Sequence, residues 1–490
     1  MSNRKTIAKN AAVLMGSQVL TWGMTLLLTI FLPRYLGASA IGKFHFSTSV
    51  WAIVAIIATF GMDTLLTKEI ARHPERLPTL LWNSAVLRLG LFGLGWLGMI
   101  LFLNAFGYPT ETRQVVYVMG AASLLWLVSG AAQSALQGLE RMEFNSLGMV
   151  LSKLVNTVVG IALLLAGQGV LIIAAVGGLA ALVNFAVQFY FLRRITPLPF
   201  HVNLTEMRHL LRAGLPYLFS AIFLVVYMQF DIVIISLLID DRAVGWYGAA
   251  DQLFGTLLFV PTVLMTAVFP TISRQFITDP DALARTTRKS FDLSVLLSLP
   301  VGLGTLVVAD QAVVLLFGEE FAPSGPILAL MGIVLILTYL NVFLGQFLIS
   351  MDRQNQWTAV MAVATLATLP LDLWLIPLCE RTFGNGGLGG AISFIITEFL
   401  MMVAGLFLLP RGILQRANAW LAVRAIFAGL VMTGTAWLVR QQFIVLPILV
   451  GTLVYAGMLW LLRLIPAEDA ALLRDLTRAV LRRLRPASQE

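Results

Sequence analysis

Charge is scarce in this chain. Only 12% of its 490 residues are Asp, Glu, Lys or Arg, against roughly 25% in a typical soluble domain. That is too little polar side chain to cover a water-facing surface of this size, so a soluble globular protein is excluded. Cysteine is scarcer still. Cys379 stands alone, which rules out an intramolecular disulfide and a cysteine metal cluster. The four histidines, His45, His73, His201 and His209, are scattered without metal-ligand spacing. No cofactor is expected.

Apolar sequence fills the space. Hydrophobic residues make up 59% of the chain, and the mean hydropathy is +0.88. Apolar runs of about 20 residues, the length a helix needs to cross hydrocarbon, recur from end to end. Fourteen are predicted, from 11–33 to 443–464. The ninth, 290–309, contains Pro300 and Gly302, which should loosen it. The fifth and sixth are joined only by the tight turn Gly167-Gln168-Gly169. The fold class is therefore all-α integral membrane. The first run ends in Phe31-Leu32-Pro33-Arg34 rather than a small-residue cleavage site, so it is expected to remain as a helix.

The net charge of +8 reflects loop asymmetry rather than nucleic-acid binding. With the N-terminus in the cytoplasm, inside segments hold 24 of the 33 Lys and Arg and outside loops hold five. This split sets both termini inside. Beyond the last span, 467–485 spaces Leu472, Leu473, Leu476, Val480 and Leu484 among arginines, as in an amphipathic helix on an anionic leaflet.

Some segments imitate active motifs. Gly37-Ala38-Ser39-Ala40-Ile41-Gly42-Lys43 has nucleotide-loop spacing, but Phe44 stands where Ser or Thr must hold magnesium, and no strand precedes it. Asn203-Leu204-Thr205 reads as a glycosylation sequon, yet falls in a cytoplasmic loop. Gly386-Gly387 and Gly389-Gly390 are read as close packing at a helix start.

Charges inside spans are costly, at about 3 kcal/mol each. In the first six spans they are basic, Arg88 and Lys153; from the seventh to the twelfth they are acidic, Asp231, Asp251, Asp372 and Glu398. This distribution predicts a cationic cavity for an anionic substrate, formed by Arg88 and Lys153, with Arg34 and Arg424 at span ends. Arg suits a phosphate fork. Asp231, Asp251, Glu398 and Asp372 would take a coupling Na+ or H+. The bland alternative is that these charges pair or snorkel, above all Lys153, Asp251 and Arg424 near span ends.

Two stretches repeat at an offset of about 203 residues: Ile41-Gly42-Lys43-Phe44 and Val244-Gly245-Trp246-Tyr247. A repeat with an even number of spans is parallel in topology. It predicts a six-helix lobe over 1–195, a second over 196–412, two appended helices over 413–466 and a cytoplasmic tail over 467–490.

Several further motifs carry a resemblance: Arg34-Tyr35-Leu36-Gly37; Phe60-Gly61-Met62-Asp63 with Lys68-Glu69-Ile70-Ala71-Arg72; Leu136-Gln137-Gly138-Leu139-Glu140-Arg141-Met142; Gly214-Leu215-Pro216; and Val244 to Ala250 through Val268-Phe269-Pro270-Thr271-Ile272-Ser273-Arg274. In order and spacing the chain resembles, nearly end to end, the Wzx-type flippases of the multidrug/oligosaccharidyl-lipid/polysaccharide (MOP) exporter superfamily. The resemblance implies two six-helix lobes plus two helices in a bacterial inner membrane. It also implies outward movement of an undecaprenyl-pyrophosphate-linked glycan for O-antigen or exopolysaccharide, beside a glycan polymerase and other assembly machinery. Glycan contacts are expected from residues such as Gln18, Trp22, Asn156, Tyr227, Gln229 and Asn341. A drug or metabolite antiporter of the same superfamily is the alternative. A membrane enzyme of glycan assembly is disfavoured because the longest outside connection, 310–325, has around 16 residues. A non-transporting scaffold would leave the intramembrane charges without a reason.

Overall fold

The computed structural model describes residues 2–464, and all its regular structure is helical. The first part of the chain forms α1 (Ser2–Leu36), α2 (Ala38–Thr59), α3 (Met62–Arg72), α4 (Leu77–Ala105), α5 (Thr110–Gly138), α6 (Met142–Leu165) and α7 (Val170–Ile195). Then come α8 (Leu204–Leu238), α9 (Asp241–Leu257), α10 (Phe259–Thr278), α11 (Pro280–Phe317), α12 (Ser324–Ser350), α13 (Gln354–Phe383) and α14 (Gly387–Leu408). The last two are α15 (Arg416–Leu438) and α16 (Val445–Leu461). Among the described residues thirteen helical segments are long and apolar enough to span a membrane, and Val445–Leu461 is a shorter apolar helix. The expected amphipathic tail lies outside the described residues.

Two compact units are distinguished. One comprises the chain up to Leu253 with Val313–Ile327 and Thr358–Thr397; the other comprises Phe254–Ala312, Leu328–Trp357 and the chain from Glu398 on. In the second unit α11 runs unbroken through Pro300, contrary to the loosening expected there. The bend-prone stretch is stabilised by neighbours: a Cβ on Gly302 would collide with the Gly332 carbonyl of α12. Residues 310–317, expected as loop, simply continue α11. The eighth span is instead the interrupted one, with α9 ending at Leu257 and α10 starting at Phe259. Tyr455 of α16 donates to the Leu296 carbonyl of α11 at 2.9 Å, so the appended helices dock on α11.

In the first unit the repeat has a physical meaning. A Cβ on Gly42 would strike the Asp241 carbonyl, and a Cβ on Gly245 would strike the Ala38 carbonyl. The two contacts are equivalent under the same offset. Lipid gives no hydrophobic drive between helices, so small residues that admit close backbone approach hold such crossings together.

The imitation motifs resolve as helix caps. The Asn203 side chain accepts from Thr205 N at 2.9 Å, capping α8. At the nucleotide-loop mimic, the Glu320 carboxylate accepts from Ala38 N at 3.1 Å. A glutamate thus occupies the helix N-terminus where a phosphate would sit.

Candidate functional site: a cavity inside the first seven helices

The site begins with a break in the chain. Between α2 and α3, Phe60 (φ 49°) and Gly61 (φ 69°) both adopt the left-handed conformation, which costs a non-glycine residue about 1–2 kcal/mol. A Cβ on Gly61 would meet the Gly214 carbonyl and the Tyr217 side chain, so glycine is required there. The strain is held by packing: α3 buries Met62, Leu65, Leu66 and Ile70 against Ala131, Ala135 and Leu136 of α5. The break places Asp63 in the first turn of α3, facing α4 and α5.

Arg88 of α4 meets it there. Its Nη2 donates to Asp63 Oδ1 at 2.6 Å and its Nη1 donates to the Leu127 carbonyl at 3.0 Å. The Ser134 hydroxyl stands 3.2 Å from the same Asp63 oxygen, with the Gly130 carbonyl as its other acceptor at 2.9 Å. Gly130 leaves room for the pair, since a Cβ there would stand 3.0 Å from Arg88 Nη1. The partners are unequal: the Arg88 side chain is 0% exposed and that of Asp63 is 51% exposed.

The pair lines a cavity of about 520 Å³ bounded by residues of α1 to α7, within the range of roughly 300–1,000 Å³ usual for small-ligand sites. Its walls carry Trp51 and Trp126, the polar Thr48, Ser123 and Asn156, and many aliphatic residues. Trp51 is locked: its indole donates to the Val116 carbonyl at 2.7 Å and its ring stacks on Phe92. Trp126 is 43% exposed and free to meet a ligand.

Of the four basic residues expected to form a cationic cavity, Arg88 alone lines this one. Lys153 is half-buried on α6. Arg34 lies exposed at the end of α1, 3.5 Å from the Leu315 carbonyl. Arg424 belongs to the other unit, where it donates to the Leu462 carbonyl at 3.1 Å.

Three of the four acidic residues do gather. The Asp372 carboxyl lies against that of Asp231, and Tyr247 donates to Asp231 Oδ2. Asp251, four residues after Tyr247, lies on the same face of α9 and within electrostatic reach of Asp231. The Ser393 hydroxyl stands beside the Asp372 carboxyl. Gly389 and Gly390 allow this approach, their missing Cβ atoms making room for Leu375 and Tyr247. Two buried carboxyls in contact repel unless a proton or cation stands between them. Glu398 is elsewhere, in the other unit, accepting from Thr338 Oγ1 at 3.0 Å and Asn341 Nδ2 at 2.8 Å.

Among the expected glycan contacts Asn156 lines the cavity, while Tyr227 bonds Thr397 and Asn341 is held by Glu398. Asp63 enters the sequence reading only within the motif Phe60-Gly61-Met62-Asp63, where it reads as the end of a span, and Trp126 does not enter it.

Residues 7–276, more than half of the chain, match the family described as polysaccharide biosynthesis protein. The chain belongs to this family. The match bears out the resemblance to Wzx-type members of the MOP superfamily. A second family, MatE, matches residues 216–374. A Haloferax volcanii relative, described as a candidate low-salt glycan biosynthesis flippase, Agl15, is 24% identical over 80% of this chain and 82% of its own. A Shigella flexneri relative, described as a candidate O-antigen transporter, is 24% identical over 76% of this chain and 90% of its own. In fold the chain is similar to the lipid II flippase MurJ in an inward closed conformation, with a TM-score of 0.71 at 14% identity over 96% of this chain and 100% of the other.

Proposed function

We propose that this chain moves an undecaprenyl-pyrophosphate-linked oligosaccharide from the cytoplasmic to the outer leaflet of a bacterial inner membrane, by alternating access of lobes 1–195 and 196–412 flanked by the helices of 413–466. Both termini face the cytoplasm in this reading, as the loop charges favour. The observation that carries it is the cavity within α1 to α7, with polar and aromatic walls and an ion pair between the buried Arg88 and the half-exposed Asp63, in a chain whose relatives are described as a glycan flippase and an O-antigen transporter. A charge pair inside a membrane span has a cost and marks a substrate path. The basic residues Lys153, Arg34 and Arg424 supply positive charge for the pyrophosphate, whereas Arg88, grouped with them in the sequence, is held by Asp63 and the Leu127 carbonyl. Arg88 reaches a phosphate only if Asp63 releases it; held as it is, it orients Asp63.

Energy enters at the Asp231–Asp372 contact, which a Na+ or H+ would relieve; Asp251 adds to the local negative charge, and Glu398 is a separate acidic group. A glycan polymerase would act on the delivered product. Deleting the gene in its native host is the test. Accumulation of the undecaprenyl-linked oligosaccharide on the cytoplasmic side, reversed by wild type, supports the reading. Unchanged lipid pools and surface glycan would contradict it.

The MatE match over 216–374 favours one other reading, a cation-coupled drug or metabolite antiporter. Deletion would then change sensitivity to small toxic cations and leave surface glycan intact.

A further inference from the structure

We infer that the cavity within α1 to α7 is a glycan subsite, in which the outward oxygen of Asp63 accepts hydrogen bonds from the hydroxyls of a sugar ring resting on Trp126. The inference rests on the flippase reading and says which end of the substrate enters this cavity.

The Asp63 carboxylate is used on one side only. Oδ1 accepts a hydrogen bond from Arg88 Nη2 and has the Ser134 hydroxyl beside it. Oδ2 has no partner among the described residues, and the side chain is half-exposed at the cavity wall. An ionised carboxylate is an acceptor only, and its hydrogen bonds are about twice as strong as neutral ones. A sugar offers what this oxygen lacks: adjacent hydroxyl donors. It also offers an apolar C–H face, which suits an exposed aromatic ring such as Trp126. Thr48, Ser123 and Asn156 supply further polar contacts on the same walls.

Other occupants fit less well. A pyrophosphate would meet the acceptor oxygen of Asp63 first, which offers its own acceptor oxygens no hydrogen-bond donor. The cation behind it is wholly buried, with Nη1 and Nη2 already donating and Nε sealed off without a partner. An organic cation would need uncompensated negative charge, but Arg88 neutralises Asp63, leaving a hydrogen-bond acceptor rather than a charged site. The volume of about 520 Å³ suits a few sugar rings and not a whole polyprenyl-linked oligosaccharide.

The test compares two probes on the purified full chain in nanodiscs: the lipid-linked oligosaccharide extracted from cells lacking the gene, and bare undecaprenyl pyrophosphate. Asp63→Asn alone strands Arg88, so the paired variant Asp63→Asn/Arg88→Gln is used together with Trp126→Ala, which leaves the ion pair intact. Each variant should bind the glycosylated lipid roughly 10- to 100-fold more weakly while holding the bare lipid as wild type does. Equal weakening towards both lipids, or undiminished binding of the glycosylated one, overturns the subsite. A wild-type chain that binds neither lipid overturns the flippase reading as well, so the two failures are told apart.

Discussion

Arg88 is wholly buried while Asp63, whose Oδ1 lies 2.6 Å from its Nη2, is half exposed. The two charges therefore depend on each other unequally. Arg88 has no water to fall back on, whereas Asp63 can be solvated from the cavity. Breaking a buried pair costs mainly through the charge left behind.

This inequality gives an ordered prediction for stability. Asp63→Asn should destabilise the protein by about 3–5 kcal/mol, because it leaves the Arg88 charge buried and unpaired. Arg88→Gln should cost less, and Asp63→Asn/Arg88→Gln should recover most of the loss. Melting of the purified variants measures this order. Equal losses from the two single variants would show that the pair is not organised as described.

The crossing of Gly42 and Gly245 predicts a steric effect. Gly42→Ala or Gly245→Ala places a methyl group on a backbone carbonyl of the facing helix, so about 1–3 kcal/mol is expected to be lost through overpacking. Leucine at either position should prevent the close approach altogether. As a control, Gly90→Ala, where a Cβ meets nothing within 4 Å in the interior of α4, should leave melting unchanged or raise it slightly.

Much of the fold is legible from hydropathy, because a lipid-facing helix must be apolar along its length. The repeat at Gly42 and Gly245 is legible as well, since glycine recurs where backbones touch. The site is less legible. Asp63 is placed by two left-handed residues, Phe60 and Gly61, and a span pattern has no sign for such a break. Asp231 and Asp372 lie 141 positions apart, and nothing local marks them as neighbours. Lys153 and Arg424 illustrate the converse: charge within a span does not tell whether the side chain turns to a cavity, a carbonyl or the membrane surface.

The carboxyl contact of Asp231 with Asp372 predicts a coupling phenotype. Asp372→Asn replaces an opposing carboxyl with an amide that can donate to Asp231, satisfying it without a cation. Transport driven by a Na+ or H+ gradient should be lost, while exchange down the substrate's own gradient persists. Flux measured with and without each ion gradient checks this. An Asp372→Asn protein that responds to the gradient as wild type does would remove the pair from coupling.

The cap on α8 predicts a local effect. Asn203→Ala removes the side-chain acceptor of Thr205 N and should cost about 1 kcal/mol. Lipid binding at the cavity should not change, and Asn203→Asp should restore stability. Melting and binding measured on the same samples separate the two effects.

Reconstitution tests for transport of a lipid-linked glycan. The full chain is placed in proteoliposomes carrying the lipid-linked oligosaccharide from cells lacking the gene, and exposure of glycan on the opposite leaflet is followed with an impermeant probe. Protein-dependent translocation that a Na+ or H+ gradient accelerates is expected. Absence of glycan translocation, with gradient-driven movement of small organic cations in the same vesicles, would contradict it.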